Sequence, residues 1–349
     1  MSPSPRPSFR VLLVLLSLVA ILGGACSSAG ASPSVALASP IPSPTAAPFA
    51  TPVPTASPTA APAFPVSLTD DEGTAVKLDA EPQKIVALTP AATETLFAIG
   101  AGDRVVATDD GSDYPAEAAA LPDVATFASV DVEKVVGLAP DLVVAGGLGF
   151  TPADSIAKLR SLGIPVLVTY ASSIDGVYKD IELLGDATGQ SAEADAITAG
   201  MRSDMDGVAT AASAAAAASG SKPRVFYDVG YLPDTGQIYG PAKGSFLEEM
   251  VSKLGVDVIT SDPTTYEIPL EQLIERDPQV IVVGVNAFYK PTADEIAKRN
   301  GWGVLTAVKN GDIRPVNDTE ITRPGPRLPT GLRNLTLAMY PDITLPPAP

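Results

Sequence analysis

The chain has 349 residues, too long for one compact core of ordinary size and suited to two lobes of about 100–150 residues each. Its formal charge is −17, from 40 Asp plus Glu against 23 Lys plus Arg, which argues against a nucleic-acid partner, because neutralising phosphates takes a basic surface. There is no histidine and a single cysteine, Cys26, so Ser-His-Asp and Cys-His catalysis, zinc held by His or Cys, cysteine-ligated iron–sulfur clusters and intramolecular disulfides all drop out. Carboxylate, Tyr, Arg, Lys and backbone chemistry remain.

Arg6 and Arg10 precede an apolar run over residues 11–25. At about 1.5 Å per residue that run makes roughly 22 Å of helix, short of the ~30 Å hydrocarbon core of a bilayer. A basic start, a short apolar stretch and small residues before a break mark residues 1–25 as a secretory signal. With the one thiol placed directly after it, the segment resembles a bacterial lipoprotein signal, which implies that Cys26 becomes the lipid-modified first residue of the mature chain. Gly23 stands where such signals usually carry leucine, and the alternative is a plain signal with an incidental cysteine. Losing Arg6 and Arg10 takes the charge from −17 to −19.

From residue 27 to 65 there is no charged side chain, and ten of the 39 positions are proline. Such a stretch buries too little apolar area to offset its ordering entropy, so residues 26–64 are expected to form a disordered or polyproline-like tether. At ~3.1 Å per residue it would hold a domain on the order of 100 Å from its anchor. A glycosylated stalk is the other reading.

Apolar periodicity begins near Phe64, opening an amino-terminal lobe over 65–187. A buried-type strand over 85–88 leads into Thr89-Pro90, an N-cap with proline at the first helical position, and Gly100 is placed to close that helix in the left-handed conformation. Strands follow over 105–107, 142–145 and 166–168, with a helix near 155–162 between the last two. The alanine-rich residues 188–219 read as one connecting helix, weakened at Gly200 and Gly207 by about 1 kcal/mol each; a flexible linker is the competing reading. A carboxy-terminal lobe over 220–340 has strands at 224–227, 256–259 and 280–283 and an amphipathic helix at 246–254, leaving 341–349 as a tail. Strand, helix, strand with short connections is the unit of a parallel sheet, so the fold class is α/β, with two Rossmann-like lobes.

The halves repeat each other. Residues 132–146 align without a gap on residues 270–284: a short helix with apolar positions at i, i+3 and i+4, a proline stop, then an apolar strand. Two such copies imply facing lobes with a ligand cleft between them. Each copy carries a glutamate in its first helical turn, Glu133 and Glu271. A carboxylate there complements the helix dipole, and a matched pair could equally dock a partner presenting arginines.

No nucleotide site is apparent. The glycines at 100 and 102 follow a helix instead of opening one, Lys243-Gly244 has the wrong order for a phosphate loop, and there is no Gly-x-Ser-x-Gly elbow. Tyr114, Phe127, Tyr227, Tyr231, Tyr239, Tyr266 and Tyr289 fall in or beside loops and strand ends, where a cleft would be lined, although taken singly each reads first as ordinary packing. Trp302 is expected to fill the core. Residues 318–327 set Arg323 and Arg327 around a stiff Pro-Gly-Pro turn, either as a helix entry or as a polar clamp on a ligand.

Residues 82–94, Ser112-Asp113-Tyr114-Pro115, residues 132–146 and Arg323-Pro324-Gly325-Pro326-Arg327 together resemble the substrate-binding proteins of metal-chelate ABC importers, which carry cobalamin, ferric siderophores or haem. The resemblance spans about 64–340. It implies two lobes joined by one long helix, little hinge closure, and a non-enzymatic, monomeric receptor on the extracytoplasmic face of the membrane. The receptor would serve a permease and its ATPase, with no resident cofactor or metal. By position, Glu133 and Glu271 match permease-docking glutamates. Gly111, Tyr114, Phe127 and the loop Thr319, Glu320, Ile321, Thr322 and Arg323 match ligand contacts, with Phe127 and Gly111 standing where cobalamin binders commonly have tryptophan and tyrosine. An acidic host suits a nearly neutral corrinoid better than a polyanionic ferric catecholate. Haem asks for a protein axial ligand, which a corrinoid brings with it. The contrasting class is an exported carboxylate-dependent hydrolase.

Overall fold

The computed structural model describes residues 64–126, 129–147, 149–220 and 222–348; Cys26, Phe127, the signal segment and nearly all of the tether lie outside them. The first elements are a small antiparallel hairpin, β1 (Val66–Thr69) and β2 (Ala75–Leu78), that the sequence reading did not single out. Next come β3 (Ile85–Ala87), α1 (Pro90–Ala98), β4 (Val105–Asp109), β5 (Asp123–Thr126), β6 (Ser129–Val130), α2 (Val132–Leu138), β7 (Leu142–Gly146), α3 (Ala153–Ser161), β8 (Val166–Thr169) and α4 (Ile174–Thr188). They make a six-stranded sheet of order β6-β5-β4-β3-β7-β8, parallel except for the β5–β6 pair.

α5 runs unbroken over Ser191–Ala218, 28 residues, so the helix reading holds over the linker reading. Its length is about 42 Å at 1.5 Å per residue. Gly207 faces the tail, where an added Cβ would lie 3.2 Å from Pro346 Cγ, and Arg333 fastens the same region by pairing with Asp204 and donating to the Pro346 carbonyl.

The second lobe runs β9 (Arg224–Asp228), β10 (Gly230–Leu232), β11 (Gln237–Tyr239), α6 (Phe246–Ser252), β12 (Asp257–Ile259), α7 (Leu270–Arg276), β13 (Val280–Val285), α8 (Ala293–Ala297), α9 (Thr306–Asn310), β14 (Ile313–Asn317), α10 (Thr319–Thr322) and α11 (Leu328–Met339). Its sheet is fully parallel, in order β12-β9-β13-β14. β7 is buried along its whole length and β13 at all but its last residue, which is why both read as unbroken apolar runs instead of alternating ones.

Alternate residues of each strand feed opposite faces. Ile85, Ala87, Leu142 and Val144 of one sheet and Val225, Tyr227, Val280 and Val282 of the other belong to one continuous core, with α1, α4, α5, α6 and α11 contributing Leu96, Ile181, Met205, Met250 and Leu332. Separate cores close the outer faces, one around Val86, Val143 and Leu159 and one around Phe226, Ile281 and Trp302. The expected core role of Trp302 is met: it is fully buried.

Candidate functional site

In open parallel sheets, ligands sit outside the carboxyl ends of the strands. Here those ends, from both lobes, meet across one seam. From the second lobe, Arg323 donates to Glu94 Oε1 at 3.0 Å, to Asp113 Oδ1 at 2.6 Å and to the Gly111 carbonyl at 3.2 Å, all in the first lobe. Arg327 grips the same carboxylate, Nε to Glu94 Oε2 at 2.8 Å and Nη2 to Oε1 at 2.6 Å, and its guanidinium lies 4.3 Å from the Tyr114 ring centroid. Glu94, projecting from α1, is only 3% exposed. Burial pushes the Asp113 carboxyl up, but the hydrogen bond and charge of Arg323 outweigh it and hold the group below the usual carboxylate range.

Around this seam the loops present aromatic rings to solvent. Tyr114 follows β4 and is 48% exposed, Phe150 follows β7 and is 50% exposed, Tyr266 follows β12 and is 50% exposed, and Phe288 follows β13 and is 100% exposed. Tyr170, after β8, has its ring centroid 6.1 Å from that of Phe150. Burial pushes the Tyr170 hydroxyl up, and the charge of the Tyr266 phenol, from the other lobe, adds to it. Gly147 makes the packing possible, since a Cβ there would sit 3.0 Å from Tyr170 Cβ. Scattered exposed apolar residues are ordinary, but several rings at one edge of two facing sheets mark a binding surface.

The sequence-derived residues divide. Tyr114 stands at the seam and exposed, and Gly111 sits there with its N–H donating to Asp109 Oδ2 at 3.1 Å. The expected loop 319–323 is mostly helical, and one of its side chains, Ile321, turns fully inward, away from any ligand. Ile321 is fully buried in the shared core. Thr322 Oγ1 donates to the Asp318 carbonyl at 3.0 Å, and Glu320 accepts from Asn334 at 2.8 Å. Thr319 opens α10 with its N–H on Asn317 Oδ1. Arg323 is a clamp, but on the opposite lobe. Tyr227, for which ordinary packing was the alternative to cleft lining, is packed: it is wholly buried, its hydroxyl donating to Asp318 Oδ1 at 2.8 Å.

Glu133 and Glu271 are both exposed, in the first turns of α2 and α7. Neither has a cation within ion-pair reach among the described residues. The matched helices end alike: Ala139 at φ 49° and Asp277 at φ 41° are the non-glycine residues with positive φ among the described residues. Each precedes a proline, which disfavours right-handed helix at that position. Phe150, Tyr170, Phe288 and Glu94 were not foreseen. For Phe150 the available signal was the run Gly146-Gly147-Leu148-Gly149-Phe150 directly after an apolar strand.

The periodic geometry has counterparts among known proteins. A family model described as periplasmic binding protein matches residues 85–318. The chain is 35% identical over 284 residues to the ABC transporter substrate-binding lipoprotein YvrC of Bacillus subtilis, covering 80% of this chain and 87% of that one. It is 33% identical over 287 residues to a cobalamin-binding protein of Halobacterium salinarum, covering 80% and 75%. The crystal structure of the periplasmic vitamin B12 binding protein BtuF of Vibrio cholerae superposes with a TM-score of 0.60 at 29% identity, covering 74% of this chain and 98% of that one.

Proposed function

Because the chain belongs to the periplasmic binding protein family, we propose that it is the non-enzymatic, lipid-anchored substrate-binding component of an ABC importer, and that its cargo is cobalamin or a related corrinoid. The observation that carries the cargo assignment is the seam itself. Aromatic rings are offered to solvent from both lobes, while the two guanidiniums that reach it, Arg323 and Arg327, are already neutralised by Glu94 and Asp113. Such a surface suits a large, nearly neutral, conjugated ligand better than a polyanion, for which free arginines would be needed. Haem is disfavoured by the chain's lack of histidine, which would leave only tyrosine to ligate the iron.

The names of the relatives agree with this reading, two of them being called cobalamin- or vitamin B12-binding. The cargo is held without being transformed, and the receptor acts as a monomer on the extracytoplasmic face of the membrane. Cys26 carries the anchor, and Glu133 and Glu271 meet arginines of the permease that is driven by its ATPase. Calorimetric titration with cyanocobalamin, a ferric hydroxamate and haemin is the test: one-to-one binding of cyanocobalamin, with a ligand-dependent rise in Tm, is expected. Binding of haemin or the hydroxamate with cyanocobalamin silent would overturn the cargo, and no binding of any of the three would overturn the receptor reading. A Cys26→Ser variant should leave binding unchanged and release the protein from the membrane fraction.

A further inference from the structure

The turn after β13 spends an unusual amount of buried polar structure on presenting one apolar ring. Asn286 closes it: its N–H donates to the Tyr289 carbonyl at 2.9 Å, and its Oδ1 accepts from the N–H groups of Phe288 at 2.9 Å and Tyr289 at 3.0 Å. Asn286 Nδ2 then donates to Asp318 Oδ2 at 3.3 Å, fixing the turn to the end of β14. At the far end, the Tyr289 hydroxyl donates to Asp228 Oδ2 at 2.7 Å, and Arg299 donates both to that oxygen at 2.8 Å and to the Tyr289 hydroxyl.

Both carboxylates are buried. Burial pushes the Asp228 carboxyl up, against the pull of Arg299, so this anchorage is not placed where it contributes most to stability. The Arg299 guanidinium also lies against two rings, 4.4 Å from that of Tyr231 and 4.5 Å from that of Trp302. Gly284 leaves room for the Asp318 node, since a Cβ there would lie 2.5 Å from Asp318 Oδ1. The outcome is a four-residue turn tied at both ends whose apex, Phe288, is completely exposed. A solvated phenylalanine forgoes the burial that makes the residue useful to a fold, and departures of this kind concentrate where a protein contacts something else.

We propose that Phe288 is a stacking platform of the second lobe for the conjugated face of the cargo, with Asn286 and Tyr289 as its positioning residues. The position supports the cargo over other occupants, because the turn leaves the carboxyl end of a central strand, the same edge that carries Tyr266. This proposal rests on the receptor reading above. Since Phe288 is completely exposed and its one described hydrogen bond is made by the backbone, truncating the side chain leaves the fold intact, and the effect on binding is read cleanly.

The experiment is titration of wild type, Phe288→Ala, Phe288→Trp, Asn286→Ala and the Phe288→Ala/Asn286→Ala double variant with cyanocobalamin, or with haemin or the ferric hydroxamate if wild type selects one of those. Phe288→Ala should weaken binding about tenfold, the scale of one lost aromatic contact, and Phe288→Trp should retain it. Asn286→Ala should weaken binding in the wild-type background and have no further effect once Phe288 is alanine. Undiminished affinity of Phe288→Ala would overturn the platform while leaving the receptor reading in place. Undiminished affinity with cargo uptake lost would reassign the ring to the permease interface, and a wild type that binds none of the probes would remove the reading on which the proposal stands.

Discussion

Glu94 holds two arginines of the other lobe with a nearly buried carboxylate. Removing one member of such a network leaves its partners' charges uncompensated, a loss of about 3–5 kcal/mol for fully buried pairs. Both guanidiniums are about one-fifth exposed, so a smaller value, about 2–3 kcal/mol, is expected for Glu94→Gln by urea denaturation. Asp180 makes a prediction of opposite chemistry. Burial first, and Asp71 beside it second, push its carboxyl up to about 9, so the folded state binds a proton there that the unfolded state releases near its ordinary value of 3.8. The stabilisation linked to that proton is complete below the unfolded value and is lost as pH rises through the folded one. Thermal melts from pH 5 to pH 9 should therefore fall more steeply for wild type than for Asp180→Asn, whose amide mimics the protonated acid. Neither role was legible in the sequence: Glu94 closed the 82–94 motif with no role assigned to it, and Asp180 lay in a helix not singled out. Their partners are 229 and 109 positions away, and no local pattern announces a contact at that range.

Elements were far more legible than partners. Thr89 caps α1 by accepting from Ala92 N–H, with Pro90 behind it and Gly100 at φ 83° after it, because capping chemistry is local. The apolar runs of β7 and β13 likewise announce strands buried on both faces. The β1–β2 hairpin was missed because its strands are four residues each and partly exposed, and for Tyr227 packing and cleft lining both stayed open because a strand-end tyrosine can face either core or cleft. The duplicated helices α2 and α7 were read correctly as elements, and they yield two tests. Ala139 and Asp277 share a left-handed cap, but only Asp277 uses its side chain, accepting from Thr306 N–H and Oγ1 at 2.7 Å each. Ala139→Gly should thus raise stability by about 0.5–1 kcal/mol by relieving the left-handed cost, and Asp277→Gly should lower it through loss of the cap, both measured by chemical denaturation. Reversing Glu133 and Glu271 to lysine should leave cargo affinity intact and abolish uptake; lost affinity would remove the docking assignment.

The whole molecule is organised by the core that passes from one sheet to the other. Two lobes with private cores can swing on a linker, whereas these share Leu142, Val144, Tyr227 and Val282 in one packed interior backed by the 28-residue α5. Close packing resists graded deformation, so cargo should be accepted with little change in shape. Small-angle scattering with and without saturating ligand should give radii of gyration that agree within error, and a clear contraction on binding would show a hinge that the shared core does not provide. The two-lobed architecture was legible because the sequence repeats it. The continuity of the interior was not, because it depends on which face of each strand meets the connecting helices.

The seam between Glu94 and the arginines joins points 229 and 233 residues apart in sequence. While the chain is emerging amino end first, Glu94 and the six-stranded sheet are complete long before residues 323–327 exist. A nascent product stopped short of that turn would already carry Tyr114, Phe150, Tyr170, Tyr266 and Phe288 but lack the two arginines that fasten the lobes at Glu94. The clamp that closes the seam is thereby deferred to the last few dozen residues of synthesis.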